Sequence, residues 1–204
     1  MSDGLPGLVR LTKKDAKPAG EMMALAFHQY PLTMYFHPDP EERLLGSVVR
    51  FETMIRYGIT HGEVYATSPE MEGVAMWLSS DKIKATFWRN LRSGHFDRPW
   101  KKPLPKQANY GVFITGVRHR CAPFPHLYLR ALGVHPDHRD KGLSSQLLRP
   151  MFERTDKEGL PCYLETQSEL NVAKYMHLGF RVVDEQKVPG SDIDSWGMLR
   201  EKST

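Results

Sequence analysis

The stretch from Leu127 to Leu148, LYLRALGVHPDHRDKGLSSQLL, limits what this chain can fold into more than any other. An apolar run ends at Val134. A turn with Pro136, Asp137 and Gly142 follows, and then Leu143, Leu147, Leu148, Met151 and Phe152 recur at helical spacing. The pattern reads strand, tight turn, helix. The connecting residues Arg139, Asp140, Lys141, Gly142, Leu143 and Ser144 carry nothing bulky and apolar before Leu143, and place a glycine where backbone must come close to something. The first N–H groups of a helix lack internal partners and the peptide dipoles leave partial positive charge there, so such a turn suits an anion. Arg139 and Lys141 add charge of the matching sign. A basic, solvated turn would present the same R-x-x-G-x-S, so the motif has to be judged with its surroundings.

Those surroundings are a single domain. With 204 residues and 40% apolar content the chain can bury one sizeable core. Leu8 to Leu11 is a short strand ending at Thr12, which can cap a helix with Asp15 in its first turn and Met22, Met23, Leu25 and Ala26 on its buried side. Tyr30 to Pro40 reads as an aromatic-rich loop. Pro40 opens a second helix whose apolar face takes in Leu44, Leu45, Val48, Val49, Phe51, Met54 and Ile55, up to Gly58. Glu63–Thr67 and Val74–Leu78 form an antiparallel hairpin around SPEMEG.

Residues 81 to 122 read as a helical insertion, with helices near Ile83–Leu91 and Gln107–Val117. Their separator, SGHFDRPWKKPLPK, mixes Phe96 and Trp100 with basic residues. That mixture also occurs on single-stranded nucleic-acid surfaces, but we read it as an interhelical loop. Leu127–Val134 is apolar almost throughout, as when helices cover both faces of a sheet. A strand at Pro161–Glu165, a helix at Asn171–Leu178 and strands at Phe180–Val183 and Trp196–Leu199 complete the order. The fold class is therefore α/β (α+β), a mixed sheet of about seven strands with helices on both faces. Pro150 falls inside the central helix, where it must kink or split it; we expect a kink.

Net charge is +4 with histidine neutral, which favours anionic ligands without implying nucleic acid. No segment is long and apolar enough to span a membrane. The start, MSDGLPGLVRLTKKD, lacks a signal peptide's apolar core, and Cys121 and Cys162 need not pair, so a cytoplasmic protein is expected. His135 and His138 flank a turn without further ligands at suitable spacing, so no metal is expected.

Taken together, V-x-P-x-x-R-x-x-G-x-S-x-x-L-L after a strand, then Leu164-Glu165-Thr166, then Tyr175-x-x-x-Gly179-Phe180, resembles the GNAT superfamily of acetyl-CoA-dependent N-acetyltransferases. Val9-Arg10-Leu11, Tyr30-Pro31, Pro136-Asp137-His138, Pro150, Asn171 and Trp196-x-Met198 add a likeness to its puromycin N-acetyltransferase-like members. The resemblance is dense from Leu127 to Met198 and thin through the insertion.

It implies an enzyme moving acetyl from acetyl-CoA to a primary amine of a small molecule. Backbone N–H groups from Arg139, Asp140, Lys141, Gly142, Leu143 and Ser144 would hold the pyrophosphate. Leu132, Gly133 and Val134 would offer main-chain groups to the pantetheine arm, with Asn171 nearby. Tyr175 occupies the usual general-acid position, and His126 and Glu165 are candidates for the base. Three residues depart from the family pattern: Ser144 stands where glycine or alanine is usual, Asp140 where many members have glycine, and Ser168 at a common asparagine position. Acetylation of a protein or peptide amine, a non-catalytic coenzyme-A-binding domain, and a nucleic-acid binder using Arg89, Arg92, Arg98, Lys101, Lys102 and Lys106 are the competing readings. The acceptor's identity and the oligomeric state, a homodimer included, stay open.

Overall fold

In the computed structural model, which describes residues 4–94 and 104–201, the elements run in order β1 (Val9–Arg10), α1 (Ala16–Ala26), α2 (Pro31–Phe36), α3 (Pro40–His61), β2 (Glu63–Ala66), β3 (Gly73–Ser79) and α4 (Phe87–Arg92). They continue with α5 (Pro105–Cys121), β4 (Leu127–Val134), α6 (Leu143–Glu158), β5 (Cys162–Thr166), α7 (Glu169–His177), β6 (Arg181–Lys187) and β7 (Asp194–Arg200). The strands form one mixed sheet of order β1-β2-β3-β4-β5-β7-β6. Only β4 and β5 run parallel; every other neighbouring pair is antiparallel.

Local chemistry sets the helix ends. Thr12 donates both its N–H and its hydroxyl to the Asp15 carboxylate, at 2.8 and 2.7 Å, and so starts the short turn that leads into α1. Asp39 accepts from the Glu42 N–H at 2.8 Å, and Pro40, whose φ is already helical, opens α3. The α1 and α3 backbones cross closely enough that a Cβ on Gly20 would lie 2.7 Å from the Glu52 nitrogen, so only glycine fits there.

The two faces of the sheet bury different cores. On one face α1 and α3 pack Met22, Met23, Phe51 and Ile55 against Val64, Val74, Met76 and Ala131. On the other, α6 packs Leu147, Leu148, Met151 and Phe152 against Tyr65, Trp77, Leu129 and Leu164. Because side chains alternate along a strand, each apolar strand serves both cores.

Several expectations need correction. Tyr30–Pro40 is not all loop: Pro31–Phe36 makes a helix that buries Leu32, Thr33 and Phe36. Six residues are too few for apolar periodicity to register. On α3, Leu45 and Val49 face outward with 72% and 46% of their surface exposed, and the buried stripe instead includes Ser47 and Glu52. Pro150 needs no such correction, since α6 continues through it as one helix rather than splitting. In the insertion, the first helix shrinks to Phe87–Arg92 and the second extends to Pro105–Cys121. Phe96, Trp100, Arg98, Lys101 and Lys102 lie outside the described residues. Among the described residues no helix is long and apolar enough to cross a membrane.

Candidate active site

The site grows from a failure of pairing. β4 and β5 are partnered only at Leu127 with Cys162 and Tyr128 with Tyr163. Beyond these β5 stays bonded to β7 as far as Thr166, so β4 leaves it and a gap opens between them. A second irregularity lies on the other edge of β4, where Met76 faces Ala131 but Trp77 faces Leu129; Arg130 is the extra residue of a bulge.

The His135 N–H donates to the Glu72 carbonyl at 2.7 Å. By the two-residue alternation of an antiparallel ladder, Gly133 then also bonds to β3, while Leu132 and Val134 turn their N–H and C=O groups toward the gap. Of the three residues expected to supply main-chain groups, two are aimed there and Gly133 is not.

Past the gap lies the β4–α6 turn. The Arg139 N–H donates to Pro136 at 3.3 Å, and the next backbone donor with a protein acceptor is Gln146, bonded to Gly142 at 3.1 Å. The N–H groups of Asp140, Lys141, Gly142, Leu143, Ser144 and Ser145 therefore have no acceptor among the described residues. Asp140 and Gly142 hold this shape with φ of 60° and 76°, the left-handed region in which glycine is at ease and aspartate is tolerated. Successive amides in such a turn at the start of a 16-residue helix form an anion cradle. A diphosphate fits this donor set. The Asp140 side chain is exposed. The Arg139 guanidinium donates to the Ala26 carbonyl at 3.1 Å and so ties the turn to the end of α1.

Tyr175 lies on α7, its ring edge-on to Phe180 with centroids 5.7 Å apart. Burial, then the neighbouring Tyr30, pushes its hydroxyl well above the ordinary phenol value. Asn171 stands in the first turn of α7, half-buried, its N–H donating to the Ser168 carbonyl at 3.0 Å.

The base candidates occupy different surroundings. Glu165 accepts from Arg118 through both oxygens, at 2.9 and 3.1 Å, and from the Tyr128 hydroxyl. Both of its oxygens are engaged, with one donor on Oε1 and two on Oε2, so the carboxylate is held in place and retains acceptor capacity on Oε1 only. His126 sits one residue before the β4–β5 pairing, at the closed end of the gap. It is 3% exposed, with Nδ1 donating to the Phe124 carbonyl at 2.8 Å and Nε2 without a partner among the described residues. Burial lowers its pKa below the usual 6.5, leaving it neutral at pH 7.

Several contacts of the site carried no sequence signal. The Tyr30 hydroxyl accepts from the Gln167 N–H at 2.6 Å and lies 3.1 Å from Thr166 Oγ1, joining the α1–α2 corner to the end of β5. Arg43, buried, donates to the carbonyls of His37, His28 and Pro38 and so shapes that corner. Arg118 reaches Glu165 from 47 residues away in sequence. Separations of this size leave no local pattern. The basic residues considered for nucleic acid include Arg89, which donates to the Asp81 and Lys84 carbonyls, and Lys106, which lies over the Tyr35 ring at 4.4 Å.

α2, α5 and the β6–β7 turn pack against one another. Leu32 and Phe36 of α2, Tyr110 and Phe113 of α5, and Val188 and Ile193 of the β6–β7 turn share one apolar cluster. The α5 side chain Gln107 contacts His37 Nε2 at 3.0 Å, and the Tyr35 hydroxyl donates to Gly190 at 2.8 Å.

Comparison with known proteins bears on this arrangement. The acetyltransferase (GNAT) family model matches residues 108–180. An uncharacterized N-acetyltransferase of Schizosaccharomyces pombe is 26% identical over 202 residues, covering 88% of this chain and 79% of that protein. The solved structure of histone acetyltransferase HPA2 and related acetyltransferase from Corynebacterium glutamicum superposes with a TM-score of 0.63 at 21% identity, over 98% of both chains. A Drosophila melanogaster polyamine N-acetyltransferase, which forms N-acetylagmatine, gives 0.59 at 13% identity over 95% of this chain and 98% of that one. The fold is that of the GNAT acetyltransferases, and the part of the chain that the family model matches includes the strand–turn–helix unit and the gap beside it.

Proposed function

We propose that the protein transfers acetyl from acetyl-CoA to a primary amine of a small molecule, as a cytoplasmic enzyme. The observation that carries the reading is the run of six unpartnered amides from Asp140 to Ser145 next to the β4–β5 gap. Acetyl-CoA supplies a thioester, activated for attack by an amine. The amides of the turn would hold its diphosphate, and Leu132 and Val134 would guide the pantetheine arm and donate to the carbonyl oxygen as negative charge develops. The amine nitrogen bonds to the carbonyl carbon, the carbon–sulfur bond breaks, and the departing thiolate takes its proton from the Tyr175 hydroxyl. The raised pKa keeps that hydroxyl protonated until the thiolate forms. The amine's own proton leaves through water to His126 or to the Glu165 network.

If the cluster of α2, α5 and the β6–β7 turn covers the acceptor side, it favours a small acceptor over a peptide, which would need an open groove. The residues shared with puromycin N-acetyltransferase-like proteins point the same way. A thiol-release assay with acetyl-CoA and a panel of amines tests the reading. In Tyr175→Phe, turnover should fall by roughly 10²–10⁴-fold with acetyl-CoA affinity retained. Unchanged turnover would remove Tyr175 from the mechanism. Tight acetyl-CoA binding with no thiol release from any amine would instead favour a non-catalytic coenzyme-A-binding domain.

A further inference from the structure

Helix α5 is fastened at its start by a side chain with one workable orientation. Gln107 Oε1 accepts from the Leu104 N–H at 3.1 Å, closing the cap of the helix. Its Nε2 then points the other way and lies 3.0 Å from Nε2 of His37, 70 residues earlier in the sequence. An amide nitrogen only donates, so the histidine nitrogen has to accept. His37 is therefore the neutral tautomer with its proton on Nδ1. Turning the amide over would set its NH2 group against the Leu104 N–H and undo the cap.

The surroundings of His37 favour the neutral ring. It follows the last residue of α2, its carbonyl accepts from the buried Arg43 Nε at 2.7 Å, and its Cε1 lies 3.9 Å from where a Cβ on Gly46 of α3 would stand. Burial, then the charge of Arg50, lowers its pKa below the usual 6.5; Glu42 opposes this and Arg43 adds to it. Of the other charged groups on adjoining segments, Asp39 accepts from the Glu42 N–H, and Lys106 of α5 lies over the Tyr35 ring, 4.4 Å from its centroid. A proton on Nε2 would set N–H against N–H. Relief requires that His37 leave Gln107 or that Gln107 leave Leu104, and either change loosens α5 from the α2–α3 corner.

We infer that His37 and Gln107 form a proton-operated latch, which holds α5 against the α2–α3 corner while the imidazole is neutral and releases it when Nε2 is protonated. The unfolded chain takes this proton near pH 6.5 and the folded chain only at lower pH, so the latch is closed at pH 7 and opens as the pH falls below 6.5. The helix it releases reaches the gap. α5 carries Tyr110 and Phe113 into the apolar cluster with Leu32 and Phe36, and farther along it carries Arg118, which holds Glu165.

Hydrogen–deuterium exchange of a peptide covering the first turns of α5, followed from about pH 7.5 down to about pH 5 and corrected for the intrinsic pH dependence of exchange, tests the latch. In the wild-type protein, protection should fall by roughly two- to tenfold across that range, the factor that one hydrogen bond supplies. His37→Gln puts a carbonyl oxygen that does not titrate near the place of Nε2, and should keep its protection throughout. Gln107→Glu still accepts from the Leu104 N–H but prefers the imidazolium, so its protection should rise toward acid. An acid loss of wild-type size in His37→Gln, or one that persists in Gln107→Glu, overturns the inference. So does wild-type protection that does not change with pH. None of these readouts needs turnover, so the result is independent of the acetyltransferase reading.

Discussion

The two sides of the β4–β5 gap are built in different ways. On the α6 side the proposed cofactor cradle consists of consecutive backbone amides in one turn, residues 140 to 145, and its shape depends on two left-handed residues. On the other side the proposed acceptor wall consists of side chains from α2, β4, α5, β5 and the β6–β7 turn. The cofactor side uses groups that every residue possesses, so side-chain changes there leave its donors in place. The acceptor side uses groups that a single substitution deletes. A fold of this kind can keep one donor and change its acceptor, because the two functions rest on different parts of the covalent structure.

The largest expected effect lies on the acceptor side. Arg118→Met would leave Glu165, 3% exposed, as a buried charge without its partner. Breaking one half of a buried pair destabilises by about 3–5 kcal/mol, and urea denaturation should show a loss of that size. A loss below about 1 kcal/mol would mean that Arg118 is not what holds the Glu165 charge in the interior.

On the cofactor side the sensitive position should be Gly142. A β-branched residue at φ 76° is strained by about 1–2 kcal/mol, so Gly142→Val should weaken acetyl-CoA binding by roughly tenfold in calorimetry. Unchanged affinity would separate the turn's conformation from cofactor binding and erase the contrast between the sides.

The smallest effect serves as a control away from the gap. Glu63 is partly buried, which disfavours its charge, but hydrogen bonds from Arg154 and Tyr65 outweigh this and hold its carboxyl below the ordinary 4.5. A depressed value contributes stability at pH above about 4.5, and that contribution fades as pH falls through the folded-state value. Glu63→Gln should therefore flatten the acid limb of a melting-temperature profile without changing acceptor preference.

How much was legible beforehand follows the same division. The cradle could be read because strand, turn and helix adjoin in sequence, and because the apolar spacing of Leu143, Leu147, Leu148, Met151 and Phe152 is a local signal. β4 itself was delimited correctly at Leu127 and Val134. Tyr175, Glu165 and His126 could be nominated from the resemblance, but not their surroundings. Nothing near Glu165 in sequence announces that Arg118 and Tyr128 occupy its oxygens. Helix α2 was missed because its stability comes from contacts with α5 and the β6–β7 turn rather than from its own six residues. Leu45 and Val49 satisfy a helical apolar pattern and still face outward, since periodicity reports which residues share a face but not whether anything covers it.

The amino-acid order alone therefore determined the mixed sheet, its seven strands and the unbonded amides at the start of α6, because each follows from interactions among near neighbours and from the alternation of strands with helices. Only the tertiary structure decided where β4 leaves β5, that the Glu165 carboxylate is already engaged, and that the Tyr30 hydroxyl ties the α1–α2 corner to the end of β5. Those outcomes depend on packing between segments tens of residues apart, and long-range contacts of that kind are encoded by the whole core rather than by any stretch that could be read on its own.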